Sequence, residues 1–439
     1  MLRGVSYIVV YIAVIVIPLV LIALLSPYSN HTFIYEMGKS FALIGFVILT
    51  LQVILAGRFK WTERPFGLDI VIRYHKYMAM FAMLLLLLHP LLLAFGGAGW
   101  QLLIATDVPL YIWAGKAALF IVFLNVFLSL FQIPLRLKFE WWRIIHDILA
   151  PSILVMAFFH SFFVGRDIQI ASIQLFWVSI LGLALIIFVY QRFLRPWRLR
   201  RHPYRVIDVQ QETKNVWTVK LIPPEGEIRY AYLPGQFHFL TFCRGRNLPA
   251  EEHHWTISSS PTEKDYVSST IKELGDFTST IGQTKPGDTA AVDAPFGRFS
   301  YVLHPEERDL VFIVGGIGIT PVMSMLRHMR DTRTTLPVLL MYANGNENEI
   351  VFRKELSEIE AGGYPQLRVI HVLSKPGESW AGETGYIDRE KIERFCEGNV
   401  KDRAFYICGP PGLLEATIKN LRALGVADDR IHTEIFSFL

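Results

Sequence analysis

Residues 71–90 read VIRYHKYMAMFAMLLLLLHP, and residues 142–161 read WRIIHDILAPSILVMAFFHS. Each stretch is an apolar segment that contains two histidines 14 positions apart. Fourteen residues of α-helix rise about 21 Å and return to nearly the same face of the helix. Polar side chains at bilayer depth are costly without a partner, so the spacing marks these histidines as candidate metal ligands. They are His75, His89, His146 and His160.

Six apolar stretches are long enough to cross a bilayer at about 1.5 Å per helical residue. They are residues 7–25, 41–57, 74–95, 109–131, 144–164 and 170–190. The first has no small-residue cleavage site after it, so we interpret it as an uncleaved span and not as a signal peptide. Basic residues are concentrated at 58–73, at 132–143 and after the sixth span, which places both termini in the cytoplasm by the positive-inside rule. We predict a multi-pass protein of the plasma membrane, with a basic linker at 192–204 against lipid headgroups.

Spans three and five run in the same direction, so their histidines are expected to meet at two levels. His75 would face His146 near the cytoplasmic surface, and His89 would face His160 near the outer surface. No cysteine or carboxylate converges on these positions in the sequence, as a zinc site would require. The pattern therefore predicts two b-type haems stacked across the membrane, each held by two histidines.

The charged residues are unevenly distributed, with 19 in residues 1–190 and 63 in residues 191–439. This division excludes an all-soluble enzyme, a disordered chain and a small disulfide scaffold. Residues 202–439 carry 26 basic and 32 acidic side chains, so the positive excess belongs to the membrane part and nucleic acid is not a predicted partner. The chain has three cysteines, and none forms a C-x-x-C pair that would suggest a zinc or iron–sulfur site.

Beyond residue 204 the sequence changes to short strands separated by Pro/Gly turns. The first six suggest a small antiparallel β-barrel, and they lie at 205–210, 216–222, 237–243, 254–258, 267–273 and 289–293. From about residue 308, buried strands alternate with helices, which indicates a parallel α/β domain. These strands are Leu310–Val314, Val338–Tyr342, Leu367–Leu373 and Ala404–Cys408. The fold class is thus a multi-domain membrane protein, with a six-helix transmembrane haem domain at 1–197, a β-barrel domain at 203–303 and an α/β domain at 304–439.

Residues 251–260 read EEHHWTISSS and offer the groups that a flavin needs. Trp255 provides an aromatic plane for stacking, and Thr256 and Ser258 provide hydroxyls. Lys272 and backbone N–H groups near Gly275 are suited to a diphosphate.

The same residues resemble the motifs of a known family. EEHHWTISSS is similar to the H-P-F-T-I-S-S flavin motif of the ferric reductase and NADPH oxidase family, with His254 in place of proline and Trp255 in place of phenylalanine. IKELGDFT at 271–278 and PFG at 295–297 resemble the pyrophosphate-binding stretch and the P-F-G turn of that family. The resemblance covers nearly the whole chain and implies that FAD binds in 203–303. It assigns this role to His253, Trp255, Thr256, Ser258, Lys272, Gly275 and Thr278.

Residues 315–321 read GGIGITP directly after a predicted strand, where glycines let the backbone approach a phosphate or nicotinamide closely. Thr320 is expected to be the N-cap and Pro321 the first residue of the next helix. The tripeptide 408–410, CGP, matches a motif of the ferredoxin-reductase superfamily whose cysteine lies beside the nicotinamide. The resemblance therefore implies a catalytic role for Cys408. It implies nucleotide-binding roles for Gly315, Gly316, Gly318, Thr320, Gly409 and Pro410.

The chain ends in HTEIFSFL, which resembles the terminal E-x-F of the family. There an aromatic ring covers the flavin face that nicotinamide must reach, and we assign this catalytic role to Phe436, with Phe438 as the alternative. In YANGN at 342–346, Gly345 stands where the family often has an arginine that pairs with the 2′-phosphate of NADPH. Arg353 is a possible replacement, and both NADPH and NADH remain open as donors.

The resemblance implies an NAD(P)H oxidase or ferric reductase. Electrons would pass from cytosolic NAD(P)H to FAD, to the inner haem, to the outer haem and to a small extracytoplasmic acceptor. Bis-histidine ligation leaves no open iron position, so dioxygen giving superoxide and a ferric complex both fit. The alternative is an electron-transfer module that serves a partner protein or a quinone. Lys116, a charged residue in span four, is a candidate partner for haem propionates or an anionic product.

Overall fold

The chain folds as two units, Met1–Arg195 and Pro196–Leu439. The computed structural model describes residues 2–26, 31–245 and 247–435. The first unit is helical, and the second contains two six-stranded sheets.

Six helices of the described chain are long and apolar enough to cross a membrane, as the hydropathy pattern predicted. The helices of this part are α1 Leu2–Leu25, α2 Phe33–Leu55, α3 Lys60–Phe66, α4 Leu68–Leu93, α5 Gln101–Ile104, α6 Leu110–Leu130, α7 Phe139–Val164, α8 Ala171–Val189 and α9 Arg195–Arg201. A π-helical turn, Ala94–Ala98, extends α4. Both histidine-bearing helices begin earlier than their apolar runs, because their first turns also contain charged residues such as Asp69 and Glu140.

The basic linker predicted at 192–204 is helical for most of its length. A π-helical turn, Tyr190–Leu194, joins α8 to α9. Pro196 lacks the N–H that an α-helix would use at this point, and a wider turn accommodates that loss. Beyond it, the Arg201 guanidinium lies 3.8 Å from the centre of the Trp197 ring, a favourable contact one helical turn away.

The membrane helices form two close pairs, in which α4 packs along α2 and α7 packs along α6. Two glycines on one face of α2 permit the first approach. A Cβ atom at Gly38 would lie 3.0 Å from Leu92 Cβ, and one at Gly45 would lie 2.9 Å from Leu86 Cγ. The two histidine-bearing helices thus have separate main packing partners.

The first sheet of the second unit is antiparallel and has the strand order β4-β3-β6-β1-β2-β5. Its strands are β1 Tyr204–Thr213, β2 Val216–Ile222, β3 Phe237–Cys243, β4 Glu252–Thr256, β5 Val267–Lys272 and β6 Thr289–Phe296. All six overlap the predicted strands. Just beyond β4, the Ser258 N–H donates to the Ser268 carbonyl of β5 at 2.8 Å, so the two edge strands approach each other.

A buried histidine lies inside this sheet. His238 of β3 is 0% exposed, and it contacts the Tyr230 hydroxyl through Nδ1 and the Ser269 hydroxyl through Nε2, each at 2.6 Å. Burial lowers the pKa of His238 from 6.5 to about 3, because the apolar surroundings disfavour the charged ring. His238 is therefore a neutral structural residue at physiological pH.

The second sheet is parallel and has the order β10-β9-β8-β7-β11-β12. Its strands are β7 Leu310–Gly315, β8 Pro337–Asn344, β9 Gln366–Leu373, β10 Glu383–Thr384, β11 Ala404–Cys408 and β12 Ile431–Glu434. Its helices are α10 Ile319–Asp331, α11 Arg353–Gly362, α12 Arg389–Phe395 and α13 Pro411–Ala423. The strand order reverses at β7, which has β8 on one side and β11 on the other. Ligands of open α/β sheets bind at the carboxyl ends of strands at such a switch point.

Candidate cofactor sites

The structure brings His75 of α4 and His146 of α7 together. Their ring centroids are 6.2 Å apart and the rings are inclined at 66°. A metal ion between two imidazoles needs about 2 Å to each nitrogen, and adding the two ring radii gives a separation close to the observed one. His146 Nδ1 lies 3.1 Å from Oδ1 of Asn125, a buried residue of α6. This contact leaves Nε2 of His146 as the free ring nitrogen.

The second histidine of each helix is held through the same ring nitrogen. His89 Nδ1 lies 2.9 Å from the Gly38 carbonyl, and His160 Nδ1 lies 2.9 Å from the Tyr111 carbonyl. A carbonyl can only accept, so Nδ1 carries the proton and Nε2 keeps its lone pair. Metal-bound histidines are usually oriented in this way by a hydrogen bond from their other nitrogen.

A glycine of α6 provides room for the imidazole ring of His160. A Cβ atom at Gly115 would lie 2.5 Å from Nδ1 and 2.7 Å from Cε1 of His160. The imidazole therefore occupies space that any other residue at this position would fill. Four imidazole donors, three of them oriented through Nδ1, are a ligand set that fits two haems.

The flavin motif is divided between the two faces of β4. His253 and Trp255 share one face, where their ring centroids lie 4.1 and 6.5 Å from that of Phe277. The Trp255 Nε1 atom is buried and has no hydrogen-bond partner among the described residues. An indole N–H that lacks a partner and belongs to an aromatic cluster suits a polar aromatic ligand.

Two of the hydroxyls predicted to contact the flavin, those of Ser258 and Thr278, already have hydrogen-bond partners in the protein. Ser258 is 0% exposed, and its Oγ lies 3.0 Å from Ser268 Oγ and accepts from Thr270 Oγ1 at 3.0 Å. Thr278 Oγ1 accepts from the Leu274 N–H at 2.6 Å and closes the 274–278 loop. These contacts stabilise the sheet and the loop.

The remaining flavin candidates lie around that loop. Thr256 is buried at the end of β4, and Lys272 is half-buried at the end of β5. Gly275 has φ +113°, a backbone conformation that favours glycine.

The two glycine-containing loops of the parallel sheet meet at the switch point. Gly315 ends β7, and a Cβ atom there would lie 2.9 Å from Pro410 Cδ. A Cβ atom at Gly318 would overlap the Cys408 carbonyl, and Gly409 in turn faces Gly315. Only glycines permit this approach, so the sequence motifs at 315–318 and 408–410 form one continuous backbone surface.

Thr320 is not the N-cap that the sequence predicted. A short 3₁₀ turn at Gly316–Gly318 runs directly into α10, which has Gly318 as its N-cap. Gly316 adopts φ +54° and starts this turn, and α10 begins at Ile319, so Thr320 already lies inside the helix. The Thr320 side chain is buried and donates to the Ile317 carbonyl at 3.1 Å.

Cys408 is the last residue of β11 and is fully buried beneath the switch point. Burial raises the pKa of its thiol well above the usual range, so the group stays protonated. Its neighbour in the register, Glu434, ends β12. Phe436 and Phe438 lie outside the described residues.

Sequence reasoning missed Glu349 near the end of β8. Its carboxylate accepts from the Gly345 N–H at 3.3 Å and from Asn346 Nδ2 at 2.8 Å. A Cβ atom at Gly345 would lie 2.8 Å from Glu349 Oε2, so the carboxylate takes the space of a side chain at that position. Arg353 lies over the Trp380 ring at 5.8 Å. An acidic residue five positions after the end of β8 was the signal available in the sequence.

Two family models match the chain. The model described as "Ferric reductase like transmembrane component" matches residues 41–157, and the one described as "Oxidoreductase NAD-binding domain" matches residues 312–419. The first range contains His75, His89 and His146, and the second contains both glycine-containing loops. The two matches lie in the two separate units of the fold.

Curated relatives and solved structures add three comparisons. The glycine betaine monooxygenase reductase subunit of Pseudomonas aeruginosa is 30% identical over 255 residues, which are 56% of this chain and 68% of the relative. The plasma membrane-associated coenzyme Q6 reductase of Saccharomyces cerevisiae is 30% identical over 178 residues, 40% of this chain and 56% of the relative. The flavohem-like FAD/NAD binding domain of nitric oxide dioxygenase from Vibrio cholerae is 24% identical, with a TM-score of 0.47, and covers 53% of this chain and 97% of that domain.

Proposed function

Because the chain belongs to the ferric-reductase-like transmembrane oxidoreductases that carry a ferredoxin-reductase-type nicotinamide module, we propose that it moves electrons from NADH across the membrane to dioxygen and forms superoxide. The two histidine pairs on α4 and α7 carry this proposal, because they provide ligands at two depths of the bilayer. A bound flavin supplies the conversion of a hydride into single electrons, and bound haems supply one-electron carriers.

Four histidines would hold the haems by their Nε2 atoms. His75 and His146 form the cytoplasmic site, and His89 and His160 form the outer site. The hydrogen bonds from Nδ1 to Asn125, Gly38 and Tyr111 orient three of the rings before any ligand binds. Such preorganisation reduces the entropy lost on binding.

We assign residues 203–303 to FAD and residues 304–439 to the nicotinamide nucleotide. In the first segment, Trp255 presents its buried indole N–H, and Lys272 and the Gly275 loop provide positive charge and N–H groups for a diphosphate. In the second segment, the backbone surface at 315–318 and 408–410 admits a nicotinamide without steric conflict. The neutral Cys408 thiol lies buried directly beneath this surface.

The nucleotide donor is proposed to be NADH. Glu349 holds its carboxylate against Gly345, where the related enzymes often have an arginine for the 2′-phosphate. A carboxylate repels that phosphate and accepts a hydrogen bond from the 2′-hydroxyl of NADH. The Arg353 guanidinium lies over the Trp380 ring, so we do not assign it to a 2′-phosphate.

Both termini and the nucleotide-binding unit are assigned to the cytoplasm, and the acceptor to the outer side of the plasma membrane. The basic loops at 58–73 and 132–143 support this orientation. Lys116, near the opposite end of the bundle, donates to the Ala105 carbonyl at 2.6 Å and lies 5.4 Å from the centre of the Trp113 ring. These contacts fix its ammonium group at the outer ends of α5 and α6.

The acceptor is tested with the full chain purified in detergent and supplied with NADH. In air, superoxide formation should account for most of the NADH oxidised, and superoxide dismutase should abolish the signal. Ferric-chelate reduction that persists without oxygen, with little superoxide in air, would favour a ferric reductase. Turnover only with a quinone would favour the alternative electron-transfer module, which the coenzyme Q6 reductase among the relatives suggests.

A further inference from the structure

Three ligand-type side chains meet in the second unit, away from the switch point. His304, Glu307 and His432 each offer one nitrogen or oxygen atom, and these atoms all lie within 4.8 Å of one another. In the part of the chain that the structure describes, this is the one group of three or more such side chains that comes this close. The residues derive from the segment before β7 and from β12, more than 120 positions apart in the sequence.

The carboxylate at the centre of the cluster is held from two sides. Glu307 Oε1 accepts from His432 Nε2 at 2.6 Å, and Oε2 accepts from the Tyr406 hydroxyl at 2.6 Å. The Glu307 side chain is only 6% exposed. Tyr406 belongs to β11 and is fully buried. The carboxylate therefore has a defined orientation before any ligand arrives.

The two histidines are placed against each other above it. Their ring centroids are 4.1 Å apart, with 37° between the planes. The side chain of His304 is 26% exposed and that of His432 is 15% exposed. The cluster thus opens to solvent on the His304 side, which provides an entry path and room for a water ligand.

We propose that His304, Glu307 and His432 bind one divalent transition-metal ion of the Zn²⁺ type, and that Tyr406 positions Glu307 for it. Two imidazoles and one carboxylate form a donor set that binds such ions in preference to Mg²⁺ or Ca²⁺, which favour oxygen ligands. A hydrogen bond to a ligating carboxylate from a buried neighbour is a regular feature of metal sites. On binding, His432 Nε2 exchanges its hydrogen bond to Glu307 for the metal, and its proton moves to Nδ1 or to solvent.

The ion would connect the C-terminal strand to the segment that enters β7. His432 pairs in register with Tyr406, and Glu434 of the same strand pairs with Cys408. Since β12 is an edge strand with one neighbour, a cross-link at His432 should restrict its opening. The proposal concerns the structure of this edge and does not depend on the identity of the electron acceptor.

A metal site and a purely structural cluster differ in whether they require His304. The hydrogen-bonded chain Tyr406–Glu307–His432 is complete without His304, whereas a metal site uses His304 as a ligand. His304→Gln is therefore the discriminating substitution, and its partial exposure makes it compatible with folding. His202→Gln is the matched control, because His202 is an exposed histidine that contacts Glu227 at 2.8 Å outside the cluster.

The experiment measures Zn²⁺ binding to the chelator-stripped full chain in detergent, by equilibrium dialysis against a competing chelator. His304→Gln and His432→Gln should each weaken one site by at least about tenfold, and Tyr406→Phe should weaken the same site less. His202→Gln should leave it unchanged. Zn²⁺ should also slow hydrogen exchange in peptides covering 428–434 in the wild type but not in His304→Gln. Equal affinity in wild type and His304→Gln, or unchanged exchange on Zn²⁺ addition, would overturn the proposal.

Discussion

Gly115→Ala tests the proposed haem site at His160 through a single methyl group. The new Cβ would lie 2.5 Å from His160 Nδ1, whereas ordinary contacts begin at 3.4 Å. Gly115 lies within α6, where alanine is normally favoured over glycine by about 1 kcal/mol. The substitution should therefore preserve the helix and displace the ring.

The expected loss follows from two effects on His160. Rotating the ring away from its preferred side-chain conformation costs about 0.5–1.5 kcal/mol. The hydrogen bond from His160 Nδ1 to the Tyr111 carbonyl is 2.9 Å long, and weakening it costs about 0.5–1.5 kcal/mol more. The sum of about 1–3 kcal/mol corresponds to roughly 5- to 150-fold weaker binding of the outer haem.

The assay is haem transfer from the purified variant to an apo-haem-binding protein, with total haem measured by pyridine haemochrome. We expect one haem to leave faster or to be absent and the other to be retained. Gly182→Ala is the matched control, because Gly182 lies within α8 and its Cβ would have no atom within 4 Å. Two haems with wild-type release rates in Gly115→Ala would refute the placement of a haem against His160.

Three further predictions concern the second unit. Glu349→Gln should lower the preference for NADH over NADPH in kcat/KM by roughly two- to fivefold, since an exposed charge interaction is worth about 0.5–1 kcal/mol, and Glu358→Gln on α11 should not change it. The pKa of His238 falls from 6.5 to about 3 on folding, so its stabilising effect is present above pH 6.5 and is lost on acidification. Between pH 7 and pH 5 this should remove about 2 kcal/mol of stability, measured by thermal unfolding and absent in His238→Gln. If Phe436 covers the flavin face, as the family resemblance implies, Phe436→Ser should tighten nicotinamide binding by up to about tenfold in equilibrium titration, and Phe438→Ser should do less.

The strands and spans were predictable because their signals are local. Ala404–Cys408 is an apolar run between a charged segment and a Gly-Pro pair, and the structure has the same bounds. The six membrane helices were found from hydropathy alone, but their first turns were not. The start of α4 at Leu68 includes Asp69 and Arg73, and their mutual contact at 3.7 Å is compatible with a helix that leaves the apolar region.

The N-cap error arose where one local rule competed with its surroundings. Threonine before proline is a good N-cap signal, but the 3₁₀ turn at Gly316–Gly318 had already started the helix before Thr320. The assignment of Ser258 to the flavin stays a prediction; its protein partners, Ser268 and Thr270, lie on another strand and could not be identified from sequence.

The contact of His75 with His146 was predictable from the histidine spacing, but the groups that orient the histidine rings were not. Asn125, Gly38 and Tyr111 lie on helices whose rotation and height relative to α4 and α7 depend on packing. The same holds for Glu349 and for the cluster at His304, Glu307 and His432. These contacts depend on how loops and edge strands meet, and a single sequence contains no periodic signal for that.

The central claim is that one chain connects a nicotinamide-oxidising unit to two haems in the membrane. The most direct test is anaerobic addition of NADH to the purified full chain reconstituted with FAD, with flavin and haem absorbance recorded together. We expect about two haems per chain, both reduced by NADH, and reduction of only one haem in His89→Ala. A folded wild-type protein that oxidises NADH while containing no haem, or whose haems stay oxidised when the flavin is reduced, would contradict the account.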